Sequence, residues 1–271
     1  MFNLKNNIIY IPKKNLGQNF LINKQKVNNI INSLHLKSNH NVIEIGPGYG
    51  FLTKNIYKLI NKFFIIEIDE YLYHLLKKKY KNYKNIYIYN INILYFNIKK
   101  IIFKKIIIIG NLPYNISLKI INYLTKYVNI IKNINIMIQK EVYEKISATS
   151  EKKTYGKLSI IIQLHYKIKN IIHVSKECFI PIPSVESNFI KLIPQHKLKN
   201  KLINEKHLYK ILSQFFKNKR KQINKIFQFN IFLNNKYIKN KITRAENISI
   251  YIYIKISNNY SISKESICLH T

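Results

Sequence analysis

Only two cysteines occur in 271 residues, Cys178 and Cys268, and they form no C-x-x-C pair. Their separation excludes a disulfide framework and a cysteine zinc site, and it sets the expectation of a reducing, cytoplasmic compartment. Long apolar runs are also missing. Stretches such as Ile106 to Ile109 are far too short to span a bilayer. The N-terminus has no long apolar segment with a small-residue cleavage site, so neither membrane insertion nor export is expected. The eight histidines show no ligand spacing, and no metal is expected. Acidic residues are scarce, with 12 Asp+Glu against 46 Lys+Arg and a formal net charge of +34 at pH 7. A surface that basic attracts polyanions through counterion release, which makes nucleic acid the leading partner rather than an acidic small molecule. Arginine is limited to Arg220 and Arg244, and the abundance of Lys, Asn, Ile and Tyr is what an A+T-rich genome imposes. The charge total, not any single lysine, therefore carries the inference.

What is present is a regular alternation. Short apolar runs bounded by turn residues predict strands at 41–45, 63–67, 86–89, 106–110 and 134–138, with helix-length segments between them. This is the pattern of an α/β, Rossmann-like fold: a mostly parallel sheet with helices on both faces and a ligand site beyond the carboxyl ends of the strands. Residues 158–166 and 185–192 are expected to extend the sheet as antiparallel strands. After Pro194 the mixed apolar and lysine spacing of 198–233 and 244–256 suits short helices. The expected organisation is a catalytic domain over 1–194 and a small helical domain over 195–271.

Two segments carry chemistry. In the first, Val42 to Ile45 runs into Gly46-Pro47-Gly48-Tyr49-Gly50 and then a helix candidate over 51–60. Glycines there let the backbone turn sharply and approach a ligand closely. Such a turn could serve NAD, a flavin or S-adenosylmethionine, or be only a tight βα connection. The final glycine of a pyrophosphate-binding G-x-G-x-x-G is missing, and Glu44 just before the turn suits a cofactor carrying positive charge. Glu67 ends the second strand, where a carboxylate can accept both ribose hydroxyls. In the second segment, Gly110-Asn111-Leu112-Pro113-Tyr114-Asn115-Ile116-Ser117 follows the apolar fourth strand. An adenine N6 amine is a poor nucleophile because its lone pair is delocalised into the ring. A catalyst must hold both N–H groups, and Asn111 Oδ1 with the Leu112 carbonyl could be the two acceptors. Pro113 fixes the backbone so that they converge, and Tyr114 offers a face for stacking an extruded base.

With these segments, the sequence resembles the ribosomal RNA adenine N6,N6-dimethyltransferases almost end to end, most closely the bacterial small-subunit branch. Further motifs carry the resemblance: Lys14-Asn15-Leu16-Gly17-Gln18-Asn19-Phe20-Leu21 as a cofactor-covering segment, Met137 to Val142, Phe179-Ile180-Pro181-Ile182-Pro183-Ser184-Val185-Glu186-Ser187, and Arg244-Ala245-Glu246-Asn247-Ile248-Ser249. The resemblance implies a class I methyltransferase fold with S-adenosylmethionine as cofactor. Asn19, Leu21, Gly46, Gly48, Glu67 and Asn111 would contact that cofactor. The adenine amine of the cofactor would meet Asn92, where the family has Asp, so a charge that strengthens the bond is missing. Phe179 would sandwich the target adenine against Tyr114, each stack being worth on the order of 1–3 kcal/mol. Lys217, Lys219, Arg220 and Lys221 would meet RNA phosphates. The implied substrate is a pair of adjacent adenosines in a hairpin near the 3′ end of small-subunit ribosomal RNA, in an immature 30S subunit, with the enzyme acting as a monomer. Leu112, where the large-subunit methyltransferases tend to have Ile, favours this over a large-subunit substrate. A catalytically inactive ribosome-assembly or transcription factor is the third alternative, which the intact 111–114 segment opposes and Asn92 leaves open.

Overall fold

The computed structural model describes residues 2–3, 9–10, 12–101, 105–217 and 244–268. Its sheet contains five parallel strands, β1 (Asn41–Ile45), β2 (Lys62–Glu67), β3 (Ile86–Asn90), β4 (Ile106–Asn111) and β5 (Ile131–Gln139). Two more, β6 (Tyr166–Val174) and β7 (Ser187–Pro194), complete it in the order β3-β2-β1-β4-β5-β7-β6. Ile106 to Ile109 of β4 are all buried, as a parallel strand covered on both faces requires. β7 runs antiparallel to β5, with Ser187 opposite Gln139 and Leu192 opposite Ile134. The strand order reverses between β1 and β4, the switch point at which ligands bind in open α/β sheets.

The helices α1 (Lys24–Leu34), α2 (Thr53–Ile56), α3 (Glu70–Tyr80) and α4 (Ser117–Leu124) accompany the parallel strands. α1 buries Val27, Ile30 and Leu34, one face at helical spacing, and starts where Asn23 accepts a hydrogen bond from Lys26 N. α3 buries Leu72, Leu76 and Tyr80 and is capped by Asp69, whose side chain accepts from Leu72 N. The helix expected over 51–60 is confined to α2, with turns on either side.

By contacts the chain divides into one unit of Met1–Tyr143 with Ile168–Pro194, and a second of Glu144–Lys167 with Gln195–Thr271. A single division at Pro194 therefore assigns Glu144–Lys167 to the first domain, whereas they pack with the second. α5 (Lys140–Ser147) spans the first of these breaks. The second unit holds α6 (Lys157–His165), α7 (Glu205–Lys217) and α8 (Ile250–Cys268), with Ile160, Leu164, Leu208, Leu212, Phe215 and Tyr253 in its core.

The antiparallel strand expected at 158–166 is instead the helix α6. Its apolar residues, broken by Ser159, Gln163 and His165, have no clear period that separates a strand from a buried helix, and at its start Gly156 N–H donates to Ser159 Oγ at 3.0 Å. The strand that joins the sheet there is β6, immediately after.

Candidate active site

The glycine turn leaves β1 with three positive backbone angles, at Gly46 (φ +63), Gly48 (φ +59) and Gly50 (φ +76). A side chain is strained at such angles, and at Gly48 a Cβ would also lie 2.8 Å from the ring of Phe20. The turn is locked onto the neighbouring strand: Gly46 N donates to the Ile66 carbonyl at 2.9 Å and Gly48 N to Glu67 Oε2 at 3.2 Å. Glu67 is buried at the carboxyl end of β2, and its Oε1 accepts from Asp69 N at 2.9 Å. Burial pushes its carboxyl up to about 7, against the backbone donors of Asp69, Gly48 and Ile68, which favour the charge.

Glu44, the residue expected to offer negative charge, is also buried and accepts from Thr53 Oγ1 at 2.7 Å. Desolvation raises it to about 8, so near neutral pH it is mostly a neutral acid that a cation would have to ionise.

The loop after β4 forms the other end of the site. Asn111 Nδ2 donates to the Asn19 carbonyl at 2.6 Å, and because a carbonyl only accepts, this bond fixes which way the amide faces. The opposite atom, Asn111 Oδ1, is buried and has no hydrogen-bond partner. An orphaned buried acceptor is rare in native proteins and marks a place where a ligand donor is expected. Leu112 N is tied to the Met137 carbonyl at 3.2 Å, and the Tyr114 hydroxyl lies 2.6 Å from Ser187 Oγ, holding the aromatic ring from β7.

One cleft joins the two ends. It is lined by the 16–21 segment, Glu44, Gly46, Pro47, Gly48, Glu67, Ile68, the 110–114 loop, Met137 and Phe189, among others. The structure thus brings together Asn19, Leu21, Gly46, Gly48, Glu67, Asn111, Leu112, Pro113 and Tyr114.

Three expectations fall elsewhere. Phe179 is not itself in the cleft lining: its backbone pairs with Leu21, and its side chain is fully buried in the same core as Leu21, Ile30 and Met137, which do line it. Asn92 is also absent from the lining; its Oδ1 accepts from Leu94 N at 2.9 Å and caps the turn after β3. Lys217 is exposed at the end of α7, while Lys219, Arg220 and Lys221 lie outside the described residues.

Sequence reasoning missed Asp69. Besides capping α3 and bonding Glu67, it pairs with Lys13 Nζ at 2.8 Å and accepts from Gln18 Nε2 at 3.3 Å, clasping the segment that carries Asn19 and Leu21. The only local signal was its position as a helix cap. Ser187 was likewise quoted only as the end of a motif.

A doubly wound sheet whose switch point holds a glycine turn, a strand-end carboxylate and an Asn-Leu-Pro-Tyr loop defines a methyltransferase of the Rossmann-like class. The model of the family described as ribosomal RNA adenine dimethylase matches residues 11–264, and the chain belongs to that family. It is 41% identical over 255 residues, 92% of the chain and 93% of the relative, to ribosomal RNA small subunit methyltransferase A of Buchnera aphidicola subsp. Acyrthosiphon pisum. The protein of the same description from Blochmanniella floridana is 37% identical over 93% of this chain and 94% of its own. Among solved structures, a dimethyladenosine transferase from Plasmodium falciparum superposes with a TM-score of 0.74 at 26% identity, covering 89% of this chain and 97% of the other. The 23S rRNA methyltransferase ErmE shares the fold, with a TM-score of 0.66 at 18% identity over 89% of this chain and 99% of its own.

As a member of the family the chain is an rRNA adenine dimethyltransferase that uses S-adenosylmethionine. The residues present fit that cofactor: the turn at Gly46 and Gly48 carries no side chains of its own, Glu67 ends its strand beside it, and Glu44 lines the cleft as an acid that a cation would ionise. Among the described residues, no helix is long and apolar enough to cross a membrane.

Proposed function

We propose that this enzyme transfers two methyl groups to N6 of each of two adjacent adenosines in a hairpin near the 3′ end of small-subunit ribosomal RNA. It would do so as a monomer, in the cytoplasm, on an immature subunit, contributing to subunit biogenesis. The observation that carries this reading is the unpartnered, buried Oδ1 of Asn111 at the cleft. The names of the relatives and Leu112 favour the small subunit over the large one.

S-adenosylmethionine supplies, when bound, an electrophilic methyl group on a sulfonium. The chain's own task is to make a weak nucleophile competent. Asn111 Oδ1 accepts one N–H of the target amine and the Leu112 carbonyl the other, which draws the nitrogen toward tetrahedral geometry and directs its lone pair. Pro113 limits the backbone freedom between the two acceptors. Tyr114, its hydroxyl tethered to Ser187, presents its ring to the base. No protein base is needed, since the N6 proton can leave to water after transfer.

Glu67 would accept the cofactor's ribose hydroxyls, with Asn19, Leu21, Gly46 and Gly48 around the rest. Asn92 would take the cofactor's amino group only through the free lone pair of an oxygen already used as a cap. With Phe179 in the core, stacking rests on Tyr114, and Phe179 acts by holding Leu21 in place. Lys217, Lys219, Arg220 and Lys221 would contact RNA phosphates in the second domain, over 195–271.

The test is incubation of purified protein with unmethylated small subunits and S-adenosylmethionine, followed by mass-spectrometric mapping of the RNA. Dimethyladenosine at two adjacent positions near the 3′ end is expected. Protein that binds the cofactor yet leaves the subunits unmodified refutes the reading.

A further inference from the structure

The cleft sits at the carboxyl ends of the parallel strands, and the opposite end of the same sheet carries a second organised surface. α2 and α3 return the chain to the amino ends, so the turns that precede β2 and β3 lie there together. Asn85 ties them, its Nδ2 donating to the Tyr57 carbonyl at 2.9 Å and its carbonyl accepting from Phe63 N at 2.8 Å. With about 3.3 Å per residue along β2, this end lies roughly 20 Å from the cleft.

Three tyrosines form its centre. The rings of Tyr57 and Tyr83 meet edge to face at 4.7 Å with their hydroxyls 3.2 Å apart, and both pack on Tyr80, at 5.4 and 6.1 Å. Tyr80 is buried and anchors the group, while Tyr83 is 39% exposed.

Exposed lysines surround the rings. Lys58 Nζ lies 5.7 Å from the Tyr57 centroid and Lys79 Nζ 5.3 Å from that of Tyr80. Lys81 and Lys84 are exposed beside them in the turn before β3, whereas the exposed Lys54, at the start of α2, has its Nζ 5.3 Å from the ring of Phe51, a residue of the cleft lining. Partial burial and the charge of Lys54 hold the Lys79 ammonium below its ordinary value. Among the described residues, none of these five lysines is within ion-pair distance of a carboxylate, unlike Lys13 and Lys199. The acidic residues of the same stretch, Glu67, Asp69 and Glu70, lie at the cleft end of β2 and α3. The surface thus repels itself until an anion arrives.

We propose that Tyr83 with Lys58, Lys79 and Lys84 forms a second RNA-binding site, in which the ammonium groups hold the phosphates of an unpaired strand and the exposed tyrosine stacks one base. Cations interleaved with a rigid aromatic face are what single-stranded RNA requires, and an acidic polypeptide would make no use of the ring. The inference rests on ribosomal RNA being the substrate. An RNA that engages both ends has to span about 20 Å.

Binding of the protein to unmethylated small subunits, measured across a series of KCl concentrations, tests it. The triple variant Lys58→Gln, Lys79→Gln, Lys84→Gln is expected to bind about 10-fold more weakly near physiological salt. Its slope of log affinity against log salt should be shallower by about 2–3, since each phosphate contact contributes roughly 0.7–0.9. Tyr83→Ala is expected to lose at least about 5-fold with the slope unchanged. Arginine at the three lysine positions should restore binding, and unchanged cofactor affinity confirms that the variants are folded. If the folded triple variant keeps the wild-type affinity and slope, the second site is overturned while the substrate reading stands. If the wild-type protein itself does not bind small subunits, the substrate reading fails and takes this proposal with it.

Discussion

The two ends of the cleft handle their polar groups differently. At the cofactor end both Glu67 oxygens are already held, one by Asp69 N and one by Gly48 N, so the carboxylate is aimed before any ligand arrives. At the transfer end Asn111 is half satisfied: Nδ2 is clamped by the Asn19 carbonyl and Oδ1 has nothing. A buried acceptor without a donor costs on the order of 1–3 kcal/mol. That cost is recovered when an amine N–H takes the position, so the first end selects by shape and the second rewards the arriving nucleophile. The bond formed on arrival contributes to binding, and it raises the rate to the extent that it strengthens as the accepting nitrogen becomes tetrahedral.

Breaking the cofactor end should have the largest effect on binding. Gly48→Ala places a Cβ against the Phe20 ring at a positive φ, and calorimetry is expected to show cofactor affinity reduced by at least about 30-fold, as a strain of about 2 kcal/mol or more would give. The transfer end should respond differently. Ser187→Ala frees the Tyr114 hydroxyl, and kcat/KM on small subunits should fall roughly 5-fold, about one hydrogen bond, with cofactor affinity unchanged. Tyr114→Phe combined with it should add little, because both remove the same bond.

Two milder changes sharpen the contrast. Asp69→Asn keeps the cap on α3 but removes the charge that holds Lys13, and the cofactor Kd should rise about 3-fold with faster release. Asn92→Asp should tighten cofactor binding by a similar factor, because a carboxylate both caps the Leu94 turn and strengthens a bond to an amino group. Tighter binding by Asn92 than by Asp would contradict that role.

Protonation offers another way to separate the ends. With Glu67 near 7 and Glu44 near 8, both carboxyls gain charge as pH rises from about 6 to 8. Affinity for the cationic cofactor should increase over that window, and more than affinity for its neutral-sulfur product. The stability effect has the opposite sign. A buried acid whose folded pKa lies above its unfolded value of 4.5 holds a proton the unfolded chain has lost, so stability of the cofactor-free protein falls between pH 4.5 and about 8. Glu44→Gln should therefore raise the melting temperature at pH 8 and change it little near pH 4.

Features set by local chemistry could be read directly. Glycine and proline act within a few residues, so the turn at 46–50 and the Asn111–Tyr114 loop were legible, and the isoleucine run of β4 marked a strand buried on both faces. Features set by distant pairing could not. Phe179 carries the right motif, but its burial is set by a core that includes Leu21, its strand partner far away in sequence. Asp69 showed only its capping position, since its clasp on Lys13 and Gln18 exists only after the N-terminal segment has crossed the cleft. α6 was misread because isoleucine-rich sequence suits a strand and a buried helix equally, and its Ile160 and Leu164 are buried in the core of the second unit, with partners distant in sequence.

The central claim is that Asn111 Oδ1 receives the target amine. Single-turnover methylation of small subunits by Asn111→Ala, at saturating cofactor and with cofactor Kd measured alongside, tests it most directly. The account predicts a rate lowered about 100-fold to 1,000-fold with the Kd changed by less than about 3-fold, the magnitude of losing one transition-state hydrogen-bond group. A rate that stays within a few-fold of wild type once cofactor is saturating would contradict it.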